Sequence, residues 1–361
     1  MDDEKLTEFM ADATERLAKR VASNTLSQPG TAAFVAKFTV RSRKASKKRK
    51  EYQAKGIHIP GFLICSITTQ CNLRCKGCYA ANNGILGKEV RPSMTEAEWK
   101  SVFEQAHDLG ISFIILAGGE PLMRMPVLEI AKDYDEIVFP VFTNGTMLPE
   151  KIEFFRSNRN LIPVISIDGP RQYTDERRDA GVYDKVIESL ALLDKNKLFH
   201  GASVTVTSDN VELVTSDSFV STLRENGVGI VFFIEYVPTP ETMHLALGDK
   251  GRKILAGKIT EMRETFRDTV FMSFPGDEAA FGGCIGAGRG FMHINPYGDA
   301  EACPASPHTD TNLKEKTLLQ AIGSPLFVKI RESELISLPH EGGCALAEHE
   351  PEIIRIEGAD K

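Results

Sequence analysis

Three cysteines fall within one short segment of the chain, QCNLRCKGCY at residues 70–79. Cys71, Cys75 and Cys78 have the spacing C-x3-C-x2-C. A structural zinc site normally closes its tetrahedron with four protein ligands, whereas a cubane iron–sulfur cluster held by three cysteines leaves one iron open. The spacing therefore indicates a cluster whose open iron binds another molecule. A loop that binds zinc, or that merely carries thiols, is the alternative.

A second set of three cysteines, Cys284, Cys303 and Cys344, follows later in the chain. Thirteen residues separate Cys284 from Gly298, and four separate Gly298 from Cys303. Between them, residues 295–298 (NPYG) predict a hairpin turn between two strand-like runs. A zinc site is one interpretation of this region.

Glycine-rich and polar turns follow three of the predicted strands. Their sequences are AGGEP at residues 117–121, FTNG at residues 142–145 and SIDGP at residues 166–170. Gly118 and Gly119 let the backbone approach a ligand closely, and Glu120 offers a carboxylate to an ammonium group. Asp168 in the last turn is either a site residue or a cap of the turn.

From residue 62 onward, short apolar strands alternate with amphipathic helices, which favours parallel strands joined by crossover helices. The six predicted strands cover residues 62–68, 113–117, 137–142, 161–167, 202–207 and 230–236. Thr95 and Glu98 predict a capping box at the start of the first helix between them. This α/β pattern predicts a partial (β/α)6 TIM-like barrel, with chemistry at the C-terminal ends of its strands. An open doubly wound sheet is the alternative.

The chain divides into three predicted regions. Residues 1–60 form a helical, basic accessory region, residues 61–268 the barrel, and residues 269–361 a small C-terminal domain. In the first region, an amphipathic helix is predicted over residues 1–24, and Pro29 and Gly30 interrupt it. A second helical stretch then ends near Gly56. At the end of the sixth strand, Glu235 and Tyr236 are expected to face the barrel cavity.

The composition describes a globular chain with one unusual patch of charge. The 361 residues are 42% hydrophobic and 26% charged, and no apolar run approaches the roughly 20 residues of a spanning helix. Seven cysteines and no secretory signal indicate a reducing cytoplasm. The net charge is -7, yet residues 41–50 (RSRKASKKRK) carry seven positive charges. This basic block either binds an anionic partner or forms a solvated helix face.

The first cysteine motif, with an aromatic residue after its last cysteine and a position after the first strand, resembles the defining motif of the radical S-adenosylmethionine (SAM) superfamily. The resemblance implies a [4Fe-4S] cluster whose open iron binds SAM. It implies that Tyr79 lies near the adenine. It further implies that the GGEP turn holds the SAM amino group and that two later turns also contact SAM. The residues so matched are Gly118, Gly119, Glu120, Pro121, Asn144 and Ser166.

The second cysteine set resembles the C-x(9–15)-G-x4-C pattern of the SPASM and twitch auxiliary-cluster domains. A full SPASM domain adds a dense group of further cysteines that this sequence lacks, so the resemblance implies a twitch-like domain with one auxiliary cluster, expected to be [4Fe-4S], on Cys284, Cys303 and Cys344. Its fourth ligand is then substrate, His308, Asp299 or an unidentified residue. Cys65 is a further candidate, although a cysteine within a strand is usually a small buried hydrophobe.

The family resemblance implies an enzyme that reductively cleaves SAM to a 5'-deoxyadenosyl radical, which abstracts a substrate hydrogen. The auxiliary cluster would anchor substrate or accept an electron. A ferredoxin or flavodoxin is the expected reducing partner, and peptide modification or lipid carbon–carbon coupling the expected reaction. Residues 31–55 are expected to contact a membrane surface peripherally, and nucleic acid is not an expected partner. No catalytic side chain is assigned. The alternative is a non-catalytic iron–sulfur electron carrier or a zinc-binding interaction module.

Overall fold

The structure is a computed structural model that describes residues 29–87, 91–338, 340 and 343–358. The helix predicted over residues 1–24 lies outside these residues. In the described part, nine strands form one sheet in the order β7-β6-β5-β4-β3-β2-β1-β8-β9. The strands are β1 (Phe62–Ser66), β2 (Ile114–Ala117), β3 (Phe139–Thr143), β4 (Leu161–Ser166), β5 (Gly201–Val206), β6 (Ile230–Glu235), β7 (Val270–Phe274), β8 (Phe291–Ile294) and β9 (Ala300–Glu301).

The strand order decides between the two predicted architectures. Strands β1 to β7 follow one another across the sheet and are parallel throughout. A doubly wound sheet reverses its strand order near the middle, whereas a barrel winds in one direction. The sheet therefore forms a partial barrel, as the sequence predicts, and each of the six predicted strands is present.

Helices link the strands and cover the outer face of the sheet. They are α1 (Pro29–Gln53), α2 (Tyr79–Asn82), α3 (Glu96–Leu109), α4 (Met125–Ala131), α5 (Ile152–Ser157), α6 (Arg171–Arg178), α7 (Val182–Lys195), α8 (Val211–Val214), α9 (Asp217–Glu225), α10 (Gly248–Thr265), α11 (Leu318–Ile322), α12 (Pro325–Glu332), α13 (Ala345–Glu348) and α14 (Glu350–Gly358). The predicted capping box at Thr95 and Glu98 is present at the start of α3. Trp99 and Phe103 on that helix are fully buried.

The chain after residue 268 extends both edges of the same sheet. Strand β7 pairs with β6, and β8 pairs in parallel with β1, placing Leu63 opposite Met292. Strand β9 returns antiparallel to β8 after the predicted turn at residues 295–298. The boundary predicted at residue 268 thus falls between α10 and β7, and the region after it contributes three strands to the barrel sheet.

Alternate side chains of β1 point to opposite sides of the sheet. Leu63 and Cys65 pack in the large core between sheet and helices, whereas Phe62 and Ile64 line the inner cavity. Burial raises the pKa of the Cys65 thiol well above its usual value. Because Cys65 faces the helix layer, it is not placed to bind a cluster in the cavity.

The basic helix α1 begins at Pro29, which is tolerated in the first turn because its missing N–H has no helical partner. Near its end, Lys48 Nζ donates to the His107 carbonyl at 3.3 Å and Arg49 Nη1 to the Gly110 carbonyl at 2.5 Å. Both cations lie at the C-terminus of α3, where the helix carbonyls carry partial negative charge. Part of the basic block therefore stabilises the fold.

Other cations of α1 remain exposed, namely Arg43, Lys44, Lys47 and Lys50. The helix packs against α3 and the loop before β2, which is the end of the barrel where strands begin. None of the helices that the structure describes has the length and apolar character needed to cross a membrane.

Candidate active site

Both cysteine sets open into one cavity of about 340 Å³ inside the barrel. Its lining includes Cys71, Cys75, Cys78, Cys284, Cys303 and Cys344. It also includes the predicted site residues Tyr79, Gly118, Gly119, Glu120, Asn144, Ser166, Glu235 and Tyr236. Pro121 is buried beside the cavity as the first residue of a one-turn 3-10 helix and does not line it.

The cysteine loop follows β1 and is tied to the other side of the cavity. The Lys76 N–H donates to the Arg177 carbonyl at 2.8 Å, and the Leu73 N–H donates to Cys71 Sγ at 3.4 Å. Burial raises the pKa of Cys71 and of Cys75, while the charges of Arg178 and Arg177 lower the pKa of Cys75. Cys75 therefore lies beside two cations that favour the thiolate form needed for metal binding.

Asp168 holds these two arginines in place from a fully buried position. Arg178 Nε lies 2.6 Å and Arg177 Nη1 3.3 Å from its carboxylate oxygens. Burial opposes ionisation, but the two guanidinium groups lower the pKa of Asp168 to about 2. Asp168 does not line the cavity and acts on it through the arginines. The sequence analysis assigned no role to Arg177. Two adjacent arginines at the end of α6, the helix that follows the SIDGP turn, are the sequence signal that indicates this role.

The two glycines after β2 pack against the backbone of the cysteine loop. The Gly119 N–H donates to the Thr68 carbonyl at 2.9 Å and the Glu120 N–H to the Gln70 carbonyl at 2.7 Å. A Cβ at position 119 would lie 2.0 Å from the Gln70 oxygen, and Gly118 has φ +124°. Side chains are therefore excluded from this turn by the cysteine loop itself.

The Glu120 carboxylate organises the next turn of the barrel. It accepts hydrogen bonds from Thr143 Oγ1 at 2.6 Å, the Asn144 N–H at 2.8 Å and the Leu122 N–H at 3.0 Å. Burial raises the pKa of Glu120, and these donors counteract part of that effect. Asn144 in turn donates to Asn72 in the cysteine loop at 2.9 Å. Glu120 and Asn144 thus connect three loops around the first cysteine set.

A buried polar network, which the sequence analysis did not predict, supports Tyr79 from β1 and β8. The Tyr79 hydroxyl lies 3.5 Å from Ser66 Oγ, which lies 2.8 Å from His293 Nε2. His293 Nδ1 lies 2.6 Å from the Glu301 carboxylate. His293 reaches Ser66 only because β8 pairs with β1, a contact between residues far apart in sequence.

The second cysteine set is more deeply buried than the first. Cys303 and Cys344 are hydrogen-bonded to each other, and the bond donated by Cys303 lowers the pKa of Cys344. Burial and the charge of Glu278 raise the pKa of Cys284. A Cβ at Gly343 would lie 2.9 Å from the Tyr236 carbonyl oxygen, so the loop before Cys344 lies directly against the end of β6.

Residues 65–225 match the family model described as "Radical SAM superfamily". The chain therefore contains a radical SAM domain. It is 26% identical over 322 residues to the mycofactocin maturase MftC of Mycolicibacterium smegmatis, covering 82% of this chain and 77% of the relative. It is 26% identical over 320 residues to the AdoMet-dependent heme synthase of Methanosarcina barkeri, covering 80% and 89%. These relatives are named as enzymes, and this radical SAM chain is an enzyme as well.

A solved structure shares the fold. The crystal structure of Streptococcus suis SuiB bound to S-adenosylmethionine superposes with a TM-score of 0.65 at 20% identity, covering 84% of this chain and 77% of SuiB. The likeness extends well past the matched family region and so includes most of the partial barrel.

The donor sets of this radical SAM enzyme fit iron–sulfur clusters better than single ions. Among the described residues, no three His, Cys, Asp or Glu side chains converge closely enough to bind one metal ion. Each thiolate of a cubane cluster binds a different iron atom, so its cysteines stand further apart than the ligands of a zinc ion. The charges of Cys75 and Cys78 nevertheless raise the pKa of Cys71, so the three thiols are close neighbours.

The fourth-ligand candidates from the sequence lie away from the second cysteine set. His308 is bound by Glu350 at 3.3 Å and Glu357 at 3.2 Å, and it does not line the cavity. Asp299 forms an ion pair with Arg91 and accepts a hydrogen bond from Asn295 at 2.8 Å. Neither residue is placed to complete the set.

Glu278, which the sequence analysis did not single out, does line the cavity. Its side chain is 8% exposed. Burial, with a further contribution from Cys344, raises the pKa of Glu278 to about 8.

Proposed function

We propose that this enzyme uses a [4Fe-4S] cluster on Cys71, Cys75 and Cys78 to cleave SAM reductively, giving the 5'-deoxyadenosyl radical that abstracts a hydrogen atom from substrate in the barrel cavity. Cys284, Cys303 and Cys344 would hold an auxiliary cluster in the same cavity. The observation that carries this proposal is the single cavity shared by the two cysteine sets. A substrate held there contacts both centres.

The residues around the first cysteine set divide into two roles in this proposal. Tyr79, Gly118, Gly119, Asn144 and Ser166 line the cavity beside the cysteines and would form the SAM site. Glu120 also lines the cavity and would hold the SAM amino group with the acceptor capacity that its three protein donors leave free, whereas Pro121 would shape the site from behind. Arg177 and Arg178 would stabilise the negative charge of the cluster and its thiolates.

The side chains on the inner wall of the barrel favour a substrate whose reacting group is apolar. Its middle is lined by aromatic and aliphatic side chains, including Phe62, Phe113, Phe142, Phe232, Phe274, Ile64, Ile115 and Ile234. Such a wall excludes water from a reactive radical and favours an apolar side chain or alkyl chain.

A peptide is the substrate class that we propose first. SuiB is known in complex with its precursor peptide SuiA, and MftC is named as a maturase of mycofactocin. A peptide would place one apolar side chain between the two centres. Carbon–carbon coupling of a lipid is the second candidate, because the apolar wall would also accept an alkyl chain. A ferredoxin or flavodoxin would supply the electrons.

The cavity also weighs against a non-catalytic electron carrier. Such a carrier needs a cluster near the surface, but it has no use for an enclosed space between two metal centres. A zinc module would need thiols that converge on one ion, and in the described part of the chain none do.

Formation of 5'-deoxyadenosine tests the proposal. The anaerobically reconstituted protein should produce 5'-deoxyadenosine from SAM and dithionite, and a variant with Cys71, Cys75 and Cys78 all changed to Ala should produce none. The matched control is Cys65→Ala, which removes a thiol outside the cavity. If the triple variant still produces 5'-deoxyadenosine, the first cysteine set is not the site of SAM cleavage.

A further inference from the structure

We infer that the Glu278 carboxylate is the fourth protein ligand of the auxiliary cluster, completing the set formed by Cys284, Cys303 and Cys344. The inference rests on the proposed function, because it requires that the second cysteine set binds a cluster. It assigns a carboxylate to the iron that three cysteines leave open.

Position is the first argument. Glu278 lies on the 3-10 turn Gly276–Phe281, which follows β7 and precedes Cys284 by a few residues. Its side chain lines the cavity together with all three thiols of the second set. The Gly283 N–H donates to the Glu278 carbonyl at 3.1 Å, so the carboxylate and the first thiol belong to one folded loop.

Rigidity of that loop is the second argument. Buried Arg289 donates to the carbonyls of Gly283 and Cys284, each at 2.9 Å, and to that of Phe281. On the other side, Arg263 Nη2 binds the Asp277 carboxylate at 2.7 Å. Both arginines are thus engaged in holding the loop, and Asp277 is committed to Arg263.

The third argument comes from comparing the four carboxylates that line the cavity among the described residues, Glu120, Glu235, Asp277 and Glu278. Glu120 has three hydrogen-bond donors, Glu235 has Arg252 at 2.8 Å, and Asp277 has Arg263. Glu278 accepts one hydrogen bond, from the Ile285 N–H, and none of the described ion pairs includes it. The charge of Arg289 also lowers its pKa, but the Arg289 guanidinium donates to backbone carbonyls and forms no ion pair with it.

A buried carboxylate without an ion-pair partner is strongly unfavourable, since burial removes its hydration, and one hydrogen bond and the charge of Arg289 replace only part of it. An iron atom would supply a positive charge in direct contact with the carboxylate. A cluster with three cysteines has one iron that needs such a ligand. A bond between this iron and the Glu278 carboxylate would therefore give the carboxylate a cation and give the iron its fourth protein ligand.

The test uses the full chain with Cys71, Cys75 and Cys78 changed to Ala, so that only the auxiliary cluster is observed. This parent protein should bind roughly four irons per chain after reconstitution. Mössbauer spectra of the 57Fe protein should show one iron distinct from the other three, and added cyanide should leave the spectra unchanged. Absence of iron from the parent would overturn the auxiliary cluster itself rather than the role of Glu278.

Substitutions at Glu278 then test the ligand assignment. With Glu278→Gln added to the parent, oxidation should convert the cluster to a three-iron form about tenfold faster, and cyanide should bind the released site. With Glu278→Cys, four thiolates should make the irons more alike and restore resistance to oxidation. Circular dichroism of each variant checks that the chain remains folded.

Glu235→Gln is the matched control, because Glu235 is a buried carboxylate of the same cavity that already has an arginine partner. It should leave the spectra and the oxidation rate of the parent unchanged. If the parent binds cyanide, or if Glu278→Gln behaves like Glu235→Gln, the iron is open and Glu278 is not its ligand.

Discussion

At the scale of single residues, the first cysteine set depends on charges that lie behind the cavity wall. Burial favours neutral thiols, whereas metal binding requires thiolates. Arg177 and Arg178 oppose the effect of burial on Cys75, and both are fixed by the buried carboxylate of Asp168. One side chain that touches no ligand therefore sets the electrostatic environment of the cysteine loop.

Replacing Asp168 should show how much its ion pairs with Arg177 and Arg178 contribute to the free energy of unfolding. Asp168→Asn leaves two cations without their anion, one of them buried, and should lower the free energy of unfolding by about 3 kcal/mol. Urea denaturation at neutral pH measures the change. Asp184→Asn is the control, because Asp184 pairs with Arg171 at the exposed surface, and its loss should change the free energy of unfolding far less than the loss of Asp168. Equal effects of the two substitutions would contradict the proposed role of Asp168.

The ion pairs of Asp168 with Arg177 and Arg178 also predict that the free energy of unfolding depends on pH in the acid range. The folded-state pKa of Asp168 is about 2, below its usual value of 3.8, so the ionised carboxylate stabilises the fold above pH 3.8 and this contribution is lost as pH falls through 2. The difference corresponds to about 2 kcal/mol. The stability gap between the natural chain and Asp168→Asn should therefore shrink between about pH 4 and pH 2. A gap that stays constant over this range would show that the pKa of Asp168 is not lowered.

At the scale of elements, the turn after β2 is fixed by backbone contact with the cysteine loop rather than by side chains. Gly119→Ala would place a Cβ 2.0 Å from the Gln70 carbonyl oxygen, and that backbone cannot move without displacing Cys71. We expect a loss of at least about 2 kcal/mol in unfolding free energy and a loss of SAM-dependent activity. Thermal denaturation and 5'-deoxyadenosine formation measure the two effects.

The control for this substitution is Gly257→Ala in α10, where a Cβ meets no atom within 4 Å. Alanine is favoured over glycine inside a helix, so this variant should gain up to about 1 kcal/mol. If both glycine variants are stabilised, the turn after β2 is not constrained by the cysteine loop.

The features that the sequence predicted are those that depend on residues close together in the chain. The six strands, the capping box at Thr95, the hairpin before Gly298 and the cysteine spacing are all signals read from neighbouring residues. The pairing of β8 with β1 is not local, and the network from Ser66 through His293 to Glu301 depends on it. Glu278 was missed for the same reason: only the folded cavity shows that it lies among the cysteines of the second set without an ion-pair partner.

At the scale of the whole molecule, the barrel separates its chemistry from its basic helix. Helix α1 packs against α3 and the Gly110 loop, where strands begin, whereas the cysteine loops lie where strands end. Some of its cations are used in that packing, and among its described side chains Arg43, Lys44, Lys47 and Lys50 are exposed. A membrane contact through residues 31–55, which we propose from the basic block, would therefore act on where the enzyme resides rather than on how it cleaves SAM.

This separation yields a prediction for the exposed cations of α1. A variant with Arg43, Lys44, Lys47 and Lys50 all changed to Glu keeps Lys48 and Arg49, which bind the end of α3. Each basic residue near an anionic bilayer contributes about 1 kcal/mol, so losing four should weaken binding to phosphatidylserine vesicles about a thousandfold at low salt. Sedimentation with such vesicles measures this, and neutral phosphatidylcholine vesicles should pellet neither protein. The variant should still produce 5'-deoxyadenosine at the natural rate, because the changes lie at the far end of the barrel. Equal pelleting of the two proteins with anionic vesicles would rule out the exposed face of α1 as a membrane contact.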